Sequence, residues 1–132
     1  MFIMRGFWRG QNFKGAVVSI ESEVTSKGIM IIKLIGRMQL QDLQGMEDTF
    51  RKLIKGRSAV IVDLSELLVL FSMGIRTLIQ SAQTVELRGG KMVLMAPTKD
   101  VLVVLKASGA SALIPICADL EDAEITVLRS TA

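Results

Sequence analysis

From residue 18 to 24 the chain alternates, with Val18, Ile20 and Val24 on one face and Ser19, Glu21 and Glu23 on the other. A period of two over that length predicts a half-buried strand. Thr25, Ser26, Lys27 and Gly28 supply a turn, and the more apolar residues 29–35 predict a second strand that closes a hairpin and ends at Gly36. The period then changes. Leu40, Leu43, Met46, Phe50, Leu53 and Ile54 recur at helical spacing, with Asp42, Glu47 and Asp48 early and Arg51, Lys52 and Lys55 late. That charge order complements the helix macrodipole, and Gly56 is a stop. Residues 59–62 (Ala-Val-Ile-Val) form a short continuous apolar run, as expected of a strand covered on both faces and ending at Asp63.

A second helix is predicted from about Ser72, with Ile75, Leu78, Ile79, Ala82 and Val85 as its apolar stripe and Arg88-Gly89-Gly90 closing it. Residues 92–95 read as another buried strand. Residues 101–105 are rich in β-branched side chains and alone would pass for a strand. Thr98 as N-cap, Asp100 in the first turn and the stop at Ser108-Gly109 tip them to a helix. Residues 112–117 predict a final strand, which Pro115 assigns to a sheet edge. Asp119, Glu121, Asp122 and Glu124 could open a last helix, against which Ile125-Thr126-Val127 weighs. Alternating strands and helices after the first hairpin require crossovers. The expected fold is therefore α/β, a small mixed, mostly parallel sheet with helices packed on it.

Length and composition narrow the function. A chain of 132 residues, half of them apolar, fits one domain able to bury about two-thirds of its unfolded surface. Disorder and a disulfide scaffold are excluded, the latter because Cys117 is the only cysteine. The sequence has no histidine, which removes Ser–His and Cys–His nucleophiles and HExxH zinc sites. The expectation is a non-enzymatic protein with neither cofactor nor metal. Arg5, Arg9 and Lys14 are the only charges in residues 1–20, and the other 13 basic side chains balance 13 acidic ones. The body is neutral, so the high pI carries no argument for direct nucleic-acid binding. Residues 1–14 also hold four of the six aromatic side chains, Phe2, Phe7, Trp8 and Phe13. This segment, set apart from a domain over residues 15–132, could touch an anionic membrane surface, add a strand, swap onto a second copy, or be a disordered or incorrectly assigned start. No run approaches the ~20 apolar residues of a membrane helix, and the lone thiol suits a reducing compartment. The expected location is cytoplasmic.

Motifs for phosphate-cradling loops, GxxxxGK[ST] and GxGxxG, are absent. Arg88-Gly89-Gly90 matches one RNA-binding RGG unit but sits where a helix must end, and reads as a cap and turn. Asp63 and Glu66 could pair for acid–base work, but Asp63 reads as a strand-end residue satisfying backbone donors. Cys117 reads as a buried, inert thiol. Residues 64–74 stand out, because a connection should be polar and this one is mostly apolar. It ends in Ser72 at a helix start. There the hydroxyl can cap the helix, or accept a phosphate where the dipole and free N–H groups stabilise an anion. Phe71 and Met73 beside it either pack under the loop or form an apolar docking patch. The apolar residues 101–105 could join that patch or a homodimer contact.

Several motifs in order, over roughly residues 15–128, resemble a STAS domain, and specifically bacterial anti-sigma factor antagonists. Val62-Asp63-Leu64-Ser65 resembles the family's strand-end DLS. Leu70-Phe71-Ser72-Met73-Gly74 occupies the place of its hydrophobic-Asp-Ser-[Ser/Thr]-Gly phosphorylation motif. Gly89-Gly90-Lys91-Met92-Val93-Leu94 resembles its GG-strand, and Pro97, Val101, Leu105, Ser108 and Gly109 its Pro-x-Val helix with the following Ser-Gly. Ile35-Gly36-Arg37-Met38 resembles the Gly turn after the second strand. The resemblance implies an antagonist that binds an anti-sigma factor serine kinase, frees the sigma factor, is phosphorylated on serine and is reset by a serine phosphatase. Carried over, the acceptor is Ser72, and the partner contacts fall on Phe71, Met73, Gly74 and Arg76. Phe71 stands where the family has Asp, and Met73 where it has Ser or Thr. A kinase that reads the missing carboxylate would lose it. The alternative implied is a phosphorylation-independent STAS scaffold or accessory subunit, of a stress-sensing assembly or a lipid-transport complex.

Overall fold

Six strands lie side by side in the same order as in the sequence: β1 (Met4–Arg9), β2 (Ser19–Val24), β3 (Met30–Arg37), β4 (Ala59–Val69), β5 (Lys91–Met95) and β6 (Ile116–Cys117). The computed structural model describes Met4–Arg9 by backbone and register, and residues 18–130. The side chains on which a membrane contact of residues 1–14 would rest, among them Phe2, Trp8 and Lys14, lie outside what is described, as does the boundary at residue 15. β1 pairs antiparallel with β2, β2 antiparallel with β3, and the remaining pairs are parallel.

Four helices complete the fold: α1 (Leu43–Ile54), α2 (Ser72–Leu87), α3 (Lys99–Ala107) and α4 (Leu120–Ser130). Strand order advances in one direction from β3 to β6. Right-handed crossovers must then put α1, α2 and α3 on the same face. They do so, and Met46 and Phe50 of α1, Leu78 and Val85 of α2, and Val101 and Leu105 of α3 share one core with Val60 and Val62. α4 follows the last strand, needs no crossover, and covers the opposite face, where Ala123 and Val127 meet Ile29, Ile61, Val93 and Cys117. The expected two-sided burial of residues 59–62 follows directly.

Several sequence expectations shift. Before α1 the chain makes a short 3₁₀ turn, Leu40–Asp42, in which the buried Asp42 carboxylate accepts the N–H of Gln39 at 2.8 Å and that of Val18 at 3.4 Å. The larger correction concerns β4, which does not end at Asp63 but runs on to Val69. Two bulges disguise it. Lys33 faces Asp63 and Ile35 faces Glu66, so Leu64 and Ser65 oppose one residue of β3. Gly36 then faces Leu67 and Arg37 faces Val69, leaving Leu68 as a second extra residue. A bulge breaks the period of two. Leu64 and Leu67, of opposite parity, therefore enter the same core, and no alternation is visible in the sequence.

The double glycine after α2 has a packing cause. A Cβ at Gly90 would lie 2.4 Å from the backbone oxygen of Ser58, whose carbonyl accepts the Lys91 N–H at 2.8 Å. The Arg88 guanidinium donates to the carbonyls of Ile54 and Arg57, the latter at 3.0 Å, tying the ends of α1 and α2 together. Arg88-Gly89-Gly90 is thus a helix end and turn, as expected. β6 lies at the sheet edge but is shorter than the 112–117 expected, because residues 110–112 make a 3₁₀ turn and only Ile116 and Cys117 pair with β5; residues 101–105 are indeed helical. Leu102 and Val104 are half-buried, leaving Val103 as the exposed apolar residue of that run.

Candidate functional site

The carboxyl ends of the parallel strands and the starts of α1, α2 and α3 gather at one end of the sheet, and Ser72 stands there. The second bulge of β4 turns Leu68 outward, 51% exposed, and leaves Val69 36% exposed. Leu70 turns back into the core and Phe71 packs against the core cluster. Met73 is 44% exposed, and Ser72 and Arg76 are exposed as well. Gly74 is buried, with Met38 over it: a Cβ there would lie 2.2 Å from the Met38 sulfur. The Met38 N–H donates to the Val69 carbonyl at 3.2 Å, so the strand that follows the bulge is pinned beneath the helix start.

Ser72 is not the N-cap that the sequence suggests. Phe71 holds that position, with extended backbone (φ −117°, ψ 171°), and its carbonyl accepts the first helical bond from the Ile75 N–H at 3.1 Å. Ser72 is therefore the first helical residue, and no side chain caps α2. The Ser72 hydroxyl makes no hydrogen bond within the described residues. The amides of Ser72, Met73 and Gly74 precede the helical ladder. No acidic side chain occupies the first turn. An exposed hydroxyl, first-turn amides outside the helical ladder and Arg76 one turn on lie together at this helix start, where a helix dipole favours negative charge.

Of the four residues expected to contact a partner, Met73 and Arg76 are on the surface beside Ser72, Phe71 is half-buried under it, and Gly74 shapes the turn from within. Sequence reasoning missed Leu68 and Val69, whose exposure depends on the bulge. It also missed Thr77, whose hydroxyl donates to Glu47 at 3.3 Å and to the Met73 carbonyl at 3.4 Å. The Glu47 link ties the first turns of α2 to α1.

Asp63 and Glu66 do not form an acid–base pair. The Asp63 carboxylate accepts the Ser65 N–H at 2.9 Å, stabilising the first bulge, and does so inside the strand rather than at its end. Glu66 pairs with Lys33, and that hydrogen bond raises the Lys33 pKa against the lowering effect of burial. Burial pushes the Cys117 thiol up, and its sulfur lies 3.7 Å from the Thr126 hydroxyl, in keeping with an inert thiol.

The STAS domain family model matches residues 21–123, and the chain belongs to that family. No curated protein sequence matches it. Among solved structures, the anti-sigma factor antagonist SpoIIAA of Bacillus, in its unphosphorylated form, superposes with a TM-score of 0.69 at 18% identity, covering 86% of this chain and 98% of that one. A variant of RsbS from Moorella thermoacetica gives 0.65 at 19% identity, over 85% and 95%. The murine anion transporter Slc26a9 gives 0.67 at 14% identity, and 98% of this chain matches only 23% of the transporter. At these identities the likeness is one of fold. The expected α/β STAS architecture is borne out. Among the described residues no helix is long and apolar enough to cross a membrane.

Proposed function

We propose that this STAS domain is an anti-sigma factor antagonist that binds a serine kinase acting as anti-sigma factor, with Ser72 as the switch and a serine phosphatase as its reset. One observation carries the reading: the Ser72 hydroxyl is exposed and unbonded at the first position of a 16-residue helix with no cap and no acidic residue in its first turn. Capping does not occupy it. Around it, Leu68, Val69 and Met73 give a partner an apolar surface to cover. A phosphate there adds about −1.5 to −2 charges, held by the amides and Arg76, in the middle of the surface the partner must desolvate. The complex would then separate.

A second reading is a partner-binding STAS scaffold or accessory subunit that works without phosphorylation. Phe71 favours it: where the family has an acceptor-side carboxylate, this chain has a ring packed against the core. Phosphosite mapping of the protein from its own cells, across several stresses, separates the two. Phosphate on Ser72 that changes with condition is the expected result. Ser72 left unmodified while the kinase is expressed would overturn the switch and leave the scaffold.

A further inference from the structure

The sheet has two edges, and they are finished differently. At one, β6 is two residues long, follows Pro115 and lies under α4, whose Ala123 and Val127 share a core cluster with Cys117. A strand that short, beside a proline, is a poor template for further pairing. At the other edge β1 runs for six residues, in unbroken register with β2 from Met4↔Val24 to Arg9↔Ser19. It contains no proline, no lysine and no bulge, and no described strand pairs with its outer side. Its outer backbone groups are therefore open to another strand. Register also sorts its residues between the two faces of the sheet. Met4, Gly6 and Trp8 stand opposite Val24, Ser22 and Ile20, on the face of the main core. Arg5, Phe7 and Arg9 stand opposite Glu23, Glu21 and Ser19, on the other.

We propose that β1 pairs antiparallel with β1 of a second copy, continuing the sheet across a two-fold axis normal to it. The sequence selects the register. Opposed residues share a face, so the numbers of two opposed residues must sum to an even value. The two such registers that keep most of the strand paired put the axis at Phe7 or at Gly6. Centred on Phe7, Arg5 opposes Arg9 twice, and like charges directly opposed repel. Centred on Gly6, each Arg5 stands opposite a Phe7, a cation against an aromatic residue. Each Met4 then stands opposite a Trp8, a thioether against an aromatic residue. The strand is thus complementary to itself in one register, which is what selects a second copy as the occupant. Five or six paired residues a side make an interface below about 1,000 Å², so the dimer is weak and reversible, with a Kd on the order of 100 µM. Nothing in this depends on Ser72.

The test is sedimentation equilibrium of the full chain from about 10 µM to about 1 mM, with oxidation of cysteine variants by air and copper. A reversible monomer–dimer equilibrium is expected. Gly6→Cys lies opposite itself across the axis, at a Cβ separation of about 5 Å, and should form a covalent dimer. Phe7→Cys is offset from its equivalent by two residues and should not, nor should the parent, whose only thiol is the buried Cys117. Phe7→Lys puts a second cation opposite Arg5 of the partner subunit, yet faces Glu21 within its own chain. The fold should hold while dimerisation weakens about tenfold. A monomer at every concentration would overturn the proposal, as would undiminished dimerisation of Phe7→Lys or cross-linking of Phe7→Cys in place of Gly6→Cys. Gly6 stands opposite Ser22, so in Gly6→Cys with Ser22→Cys a disulfide between positions 6 and 22 should form within one chain. That disulfide mapped between two chains would overturn it too, in favour of an exchanged strand.

Discussion

The starts of α2 and α3 stand at the same end of the same sheet, each following a parallel strand, and they are built in opposite ways. α3 begins with Thr98, whose hydroxyl accepts the Val101 N–H at 3.4 Å and donates to the Leu67 carbonyl at 3.2 Å. Asp100 supplies a negative charge to its first turn, and Val101 fills the third position with a side chain buried in the core. α2 begins with Phe71, which cannot cap. Its first turn carries no acid, and its third position is Gly74. Every device that closes α3 is absent from α2, although a serine is at hand. One helix start is finished by its own residues. The other leaves donors, hydroxyl and dipole available to something outside the chain.

The largest expected effect comes from filling the third position of α2 as α3 fills its own. Gly74→Val places a branched side chain where the Met38 sulfur and the Leu70 side chain already sit. Overpacking of this kind costs about 1–3 kcal/mol, to be read as a lower midpoint in urea. Unchanged stability would mean that Met38 yields freely and that the turn is not shaped by the glycine. Next comes Thr98→Ala, which removes a cap and should cost about 1 kcal/mol, or roughly 4 °C in Tm. If that loss is not seen, α3 is held by packing alone and the contrast between the two starts loses its energetic meaning.

The same contrast explains what a reader of the sequence can and cannot see. Thr98, Asp100, Ser108 and Gly109 are local signals, and they placed α3 correctly despite its β-branched run. Alternation and helical spacing likewise place β2, β3, α1 and the stripe of α2. The far half of β4 was not visible, because two bulges put Leu64 and Leu67 on one face and turned Leu68 out. Bulges depend on the partner strand, so no pattern within residues 64–69 announces them. The capping of α2 was misread for a related reason. Ser72 has the right chemistry for a cap, but the backbone gives that position to Phe71. Composition shows which groups are present, and register decides which are free.

The smallest effect on stability falls on Ser72, and its smallness is the point. Because the hydroxyl caps nothing, Ser72→Ala should change stability by no more than about 0.5 kcal/mol, unlike Thr98→Ala. Ser72→Asp should leave the fold intact and stabilise it by about 0.3–1 kcal/mol, since a carboxylate enters a first turn that lacks one. The gain should shrink with added salt, because an exposed charge is screened. Against the partner the order reverses. Ser72→Ala should bind as the parent does, while Ser72→Asp should lose about tenfold or more in affinity, a charge having entered an apolar contact. A substitution that strengthens the domain while weakening its complex separates a switch from a structural residue. If Ser72→Asp instead binds as tightly as the parent, the open start of α2 is not the contact surface. The uncapped helix would then need another explanation than exchange of partners.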